Sequence, residues 1–157
     1  MSSQPSAGSL KSRLHDDLTA AIKTRDELTT ATLRMVLAAV TNEEVSGKEA
    51  RILSDDDVLK ILAHEGKKRR EAASAFEAGN RPELADRERA EGGVIEHYLP
   101  KQLDDDELRA LVSAAISESG ASGPQAMGAV MKLATPRVAG RAEGGRVAAE
   151  VKRQLAN

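Results

Sequence analysis

Leu103-Asp104-Asp105-Asp106-Glu107-Leu108, followed by Leu111, Val112 and Ile116, is the stretch that decides the fold. Asp104 is an N-cap type, Glu107 stands three residues on to reach back to it, and Leu103 and Leu108 occupy the two positions of a hydrophobic staple. The apolar residues that follow recur at three- and four-residue spacing, one face of an α-helix, and Gly120 stops it. The same start occurs upstream, where Ser54 and Asp57 form the cap pair and Leu53 and Val58 the staple of a helix predicted over 54–77, ending at Gly79-Asn80. A duplication would produce this recurrence, but so does capping physics at any surface helix.

Outward from these anchors the period stays helical. A helix is predicted over 9–25 with Leu10, Leu14, Leu18, Ala21 and Ile22 on one face, and another over 28–45 with Leu33, Val36, Leu37 and Val40. The second stops at Ser46-Gly47, where glycine is expected to take the left-handed cap. Pro82 opens a fourth helix with Leu84, Val94, Ile95 and Tyr98 inward, closed by Leu99-Pro100. Beyond Gly120, Ser122-Gly123-Pro124-Gln125 starts a short helix carrying Met127, Val130 and Met131, which Thr135-Pro136 is expected to break. The last begins near Gly144 and uses Val147, Val151 and Leu155. No stretch alternates strictly, so the fold class expected is all-α: a disordered start over 1–8, a larger helical domain over 9–100 and a small three-helix domain over 101–157.

At 157 residues, with 40% apolar and 31% charged residues and a mean hydropathy of −0.42, this reads as a soluble globular chain without a membrane span. The absence of cysteine excludes disulfides, thiolate metal sites, iron–sulfur clusters and a thiol nucleophile. The polar opening is no secretory signal, and a cytoplasmic location is expected. Phe76 and Tyr98 are the only aromatics, so any nucleic-acid contact must rely on charge and shape.

The net charge of −2 hides an uneven distribution. Residues 120–157 hold six basic side chains (Lys132, Arg137, Arg141, Arg146, Lys152, Arg153) against Glu143 and Glu150, a balance of +4, which leaves −6 on residues 1–119. The segment from Pro136 to Arg146 sets arginines beside a helix start with free backbone N–H groups, a combination that attracts phosphate. A Gly-rich connection whose arginines serve solubility has the same pattern. Lys67-Lys68-Arg69-Arg70 is the densest basic run, but consecutive helical residues fan around the axis; a phosphate site would use two, Lys67 and Arg70, and a solvated face with Glu65 and Glu71 would use none.

Nothing suggests catalysis. His15, His64 and His97 stand on separate predicted helices without the spacing of a metal site. No serine lies in a nucleophile elbow, no glycines form a phosphate-cradling loop, and the runs Asp55-Asp56-Asp57 and Asp104-Asp105-Asp106 suit helix starts. No catalytic residue, cofactor or metal is expected.

Leu33-Arg34-Met35-Val36-Leu37-Ala38-Ala39-Val40, Lys67-Lys68-Arg69-Arg70-Glu71 with Ala75-Phe76-Glu77, Tyr98-Leu99-Pro100-Lys101-Gln102-Leu103, Met127-Gly128-Ala129-Val130-Met131 and Gly140-Arg141-Ala142-Glu143-Gly144 together resemble the YqeY (GatB/YqeY) family, in order and across nearly the whole chain after Ser9. The resemblance implies an all-helical protein whose C-terminal part is similar to the tail of the GatB subunit of tRNA-dependent amidotransferases. That tail recognises the body of the tRNA, while glutamine hydrolysis and ester activation occur in domains this chain lacks. The family label of carbon–nitrogen ligase activity with glutamine as amido-N-donor therefore looks inherited from the larger enzyme. The expected function is a non-catalytic module for tRNA or a tRNA-processing complex, contacting RNA through Lys132, Arg137, Arg141, Arg146, Lys152 and Arg153 with Lys67 and Arg70. The alternative is a protein-interaction module taking a partner helix in a groove near Met127, Val130 and Met131. Departures from the family pattern are Gly66 and Gly92-Gly93, where kinks or frayed turns are expected, and Ala126 and Glu143, which weaken the last two caps.

Overall fold

A computed structural model describes residues 8–156. The disordered start expected over 1–8 falls almost wholly outside them. The described residues form α1 (Leu10–Lys23), α2 (Glu27–Glu44), α3 (Asp55–Ala78), α4 (Pro82–Glu96), α5 (Asp105–Ser119), a 3-10 turn (Pro124–Ala126), α6 (Met127–Val138) and α7 (Gly144–Leu155), with no strand among them. The protein is all-helical.

The helix starts follow from local chemistry. Ser54 Oγ accepts from the Asp57 N–H and Asp57 returns the bond to the Ser54 N–H, both at 3.1 Å. The Ser54 backbone N–H, and after it the Ser54 side chain, hold the Asp57 carboxyl below the usual carboxylate range. Asp104 and Glu107 form the equivalent box at 2.7 and 3.2 Å. Ser9 caps α1 and Asp26 caps α2.

Several expectations are corrected. Gly47 is not the cap of α2, which ends at Val45 with φ −110°; left-handed backbone falls instead on Arg25 in the α1–α2 turn and on Asn80, Gly120, Ala139 and Gly140 after later helices. Ile22 is 48% exposed, outside the α1 stripe. Pro136 does not break α6, which runs on to Val138. A proline in the last turn forfeits one intrahelical bond, and the next turn still closes through Ala139 N–H to Thr135 C=O at 3.2 Å. The glycines do not interrupt α3 or α4. Gly66 is where the helices pack closely: a Cβ there would lie 3.6 Å from Ile95 Cγ2 and 3.9 Å from Leu99 Cδ1.

The chain divides into two compact units, Met1–Leu99 and Pro100–Asn157. In the first, Leu14, Leu33, Val36, Val40, Val58, Leu62 and Ile95 from α1 to α4 make one apolar core. In the second, Leu108 and Val112 of α5, Val130, Ala134 and Val138 of α6, and Val147, Val151 and Leu155 of α7 close another, capped by Leu103 and Ala142.

Candidate nucleic-acid interface

The second unit builds its basic surface around the α6–α7 elbow, residues 139–143. Leu103, in the segment leading to α5, clips that elbow from both sides of its peptide. Its N–H donates to Arg141 C=O at 2.7 Å, and its C=O accepts from Arg146 Nη1 at 2.7 Å. Three expected RNA contacts thereby come together. Arg137 lies in the last turn of α6, Arg141 in the elbow and Arg146 in the first turn of α7.

Each of the three has partners inside the unit. Arg137 Nη2 pairs with Glu118 of α5. Arg141 donates from Nε to Val138 C=O at 3.1 Å and from Nη2 to Arg137 C=O at 2.9 Å, satisfying carbonyls that the end of α6 leaves open. Arg146 Nη2 pairs with Asp105 at 2.9 Å. The two carboxylates are well exposed, so these ion pairs contribute about 0–1 kcal/mol each and exchange readily for another anion.

The remaining basic residues stand apart from the elbow. Lys132 on α6 and Lys152 on α7 are exposed and make no ion pair among the described residues. Arg153 grips Glu150 through Nε and Nη2 at 3.0 and 2.6 Å, and this, with Gln154, pulls the Glu150 carboxyl down to about 2. Lys67 and Arg70 lie on the exposed side of α3 in the first unit, Lys67 within 3.9 Å of Glu71.

Of the residues expected to line an apolar groove near α6, Val130 is fully buried, while Met127 and Met131 are half-buried and pack on the same core.

Two clusters in the first unit escaped the sequence reading. Arg69, alone of its basic run, turns inward: with a side chain 11% exposed, it faces Glu65 at 3.3 Å, Glu91 at 3.2 Å and Glu88 at 3.7 Å. The Glu65 to Arg69 spacing of four was the available signal. Tyr98 donates its hydroxyl to Asp17 at 2.5 Å beneath the Arg13 guanidinium, 4.9 Å from the ring centroid, and burial, then that bond, push the phenol above its ordinary range. Among the described residues no three His, Cys, Asp or Glu side chains gather to hold a metal ion, and no helix is long and apolar enough to cross a membrane.

What these features define is a class: an all-helical protein whose second unit carries an arginine-bearing elbow between its last two helices. A family model described as "Yqey-like protein" matches residues 11–155, and the chain belongs to the YqeY family. It is similar to "Altered inheritance of mitochondria protein 41, mitochondrial" of Meyerozyma guilliermondii, 33% identical over 86 residues, 55% of this chain and 44% of that protein. The protein of the same name from Clavispora lusitaniae is 26% identical over 131 residues, 82% of this chain and 75% of that one. The match thus spans less than half the first relative's length.

Proposed function

We propose that this protein is a non-catalytic helical module that binds tRNA, or a complex processing it, through the elbow of its second unit. The observation that carries the reading is the gathering of Arg137, Arg141 and Arg146 around the α6–α7 elbow, beside the first turn of α7. Backbone N–H groups in the first turn of a helix and nearby guanidinium groups are what a phosphate oxygen seeks. Lys132 and Lys152, exposed and without an ion pair among the described residues, and Arg153, paired with Glu150, are secondary candidates for further phosphates. The likeness of this part of the chain to the GatB tail supports the same ligand, and in this reading the carbon–nitrogen ligase label belongs to the larger amidotransferase. The reading suits the cytoplasm and equally the compartment in the two relatives' names.

The test is binding of a tRNA transcript to the full chain at rising salt. If about four phosphates are neutralised, affinity should fall roughly a hundredfold between about 50 and 200 mM salt. Arg137→Gln should reduce the log–log slope by about one. Undetectable or salt-independent binding by folded protein refutes the proposal.

A further inference from the structure

Beside the elbow, Lys101, Gln102, Leu103, Glu107, Leu111 and Arg141, with Ala110 at the edge, line an open hollow of about 520 Å³. That size falls among small-ligand sites, and the lining has their make-up, an apolar surface with a few polar groups. We infer that this hollow takes one unstacked nucleobase of the bound RNA, an inference that rests on the RNA-binding reading above.

Stacking a base needs a flat partner, and both aromatics of the chain, Phe76 and Tyr98, belong to the first unit. Arg141 supplies the plane instead. With Nε and Nη2 tied to Val138 and Arg137 carbonyls, its guanidinium is fixed before any ligand arrives and loses little freedom when a base lies against it. Leu111 and the Ala110 methyl add apolar contact. The edge chemistry is that of acceptors. Glu107 commits Oε2 to the Asp104 N–H at 3.2 Å, which leaves Oε1 for a ligand. Gln102 spends its Nε2 on the Pro100 and Gly140 carbonyls at 3.4 Å, which leaves its Oε1. Two acceptors suit a base edge that donates through an amine, as guanine does, over uracil, which offers a single N–H. Lys101 and Arg141 supply the positive charge that a nucleotide's phosphates need, whereas an apolar side chain of a partner protein would leave those charges unanswered.

The test uses the full chain and three labelled probes, each an otherwise abasic ribose-phosphate 9-mer: one with a central guanosine, one with a central uridine, one with no base. Guanosine should tighten binding about tenfold over the abasic chain, with uridine between them. Ala110→Leu fills the hollow from an exposed helical position without adding a flat stacking face, and should erase that gain without altering the salt slope. Gln102→Ala should lower the guanosine preference and serves if the first variant does not fold. Equal affinity for all three probes, or a base preference that survives both substitutions, overturns the hollow and leaves tRNA binding standing. Failure of every probe and of the tRNA transcript overturns both.

Discussion

Replacing Arg69 with methionine strands three carboxylates. Glu65 and Glu91 have side chains 9 and 10% exposed and Glu88 22%, and Arg69 is the cation they share in the α3–α4 interface. Breaking a buried ion pair by deleting one partner costs about 3–5 kcal/mol, because the other charge remains desolvated. Two rim cations temper that cost here: Lys68 stands 3.3 Å from Glu65 and Arg87 stands 3.5 Å from Glu91. The lower end, about 3 kcal/mol, is therefore expected, or on the order of 10 °C in Tm. Urea unfolding followed by far-UV circular dichroism measures it directly. Arg87→Met is the control; its side chain is 72% exposed, and it should cost no more than about 1 kcal/mol. Replacing Arg69, Glu65 and Glu91 together with apolar residues should recover most of the loss. A cost below about 1 kcal/mol for Arg69→Met would show that water reaches the cluster and that the desolvation argument is wrong.

Gly93→Ala should stabilise the protein by about 1 kcal/mol, since the position is inside α4 and a Cβ there meets nothing within 4 Å; thermal unfolding of the full chain reads this. Glu150→Gln should destabilise slightly at neutral pH. The native carboxyl titrates at about 2 against an ordinary 4.5, so its contribution is present above about 4.5 and fades as pH falls toward 2. The Tm difference between variant and wild type should close over that window.

How much of this was legible depended on sequence distance. The capping boxes at Ser54–Asp57 and Asp104–Glu107 span three residues, and a donor and acceptor so close find each other wherever the helix starts. Gly120 as the left-handed cap of α5 is equally local. Pro136 misled because its penalty depends on position: near a C-terminus the lost bond is one of the few a helix can spare. Ala139, left-handed at φ 50°, carries no compositional signal at all. The inward turn of Arg69 could not be separated from its neighbours in Lys67-Lys68-Arg69-Arg70, since Glu88 and Glu91 approach from another helix. The elbow was visible as a basic segment, but the Leu103 clip that shapes it joins residues about 40 positions apart.

That clip also decides which arginine tests the RNA proposal cleanly. Arg146 has one hand on the Leu103 carbonyl and the other on Asp105, so its loss loosens the fold of the elbow as well as removing a cation. Arg141 is similarly committed to two carbonyls. Arg137 is different: its side chain meets only the exposed Glu118 carboxylate among the described residues, and its removal leaves the clip in place. The two carboxylates, in turn, would compete with a phosphate for the same guanidinium groups in the proposed reading. Asp105 stands 87% exposed, a partner that a phosphate oxygen displaces at little cost, while the Arg146 to Leu103 bond stays made. In the proposed reading, phosphate binding at the elbow would be an exchange of one anion for another on a prearranged donor, with no rearrangement of the backbone required.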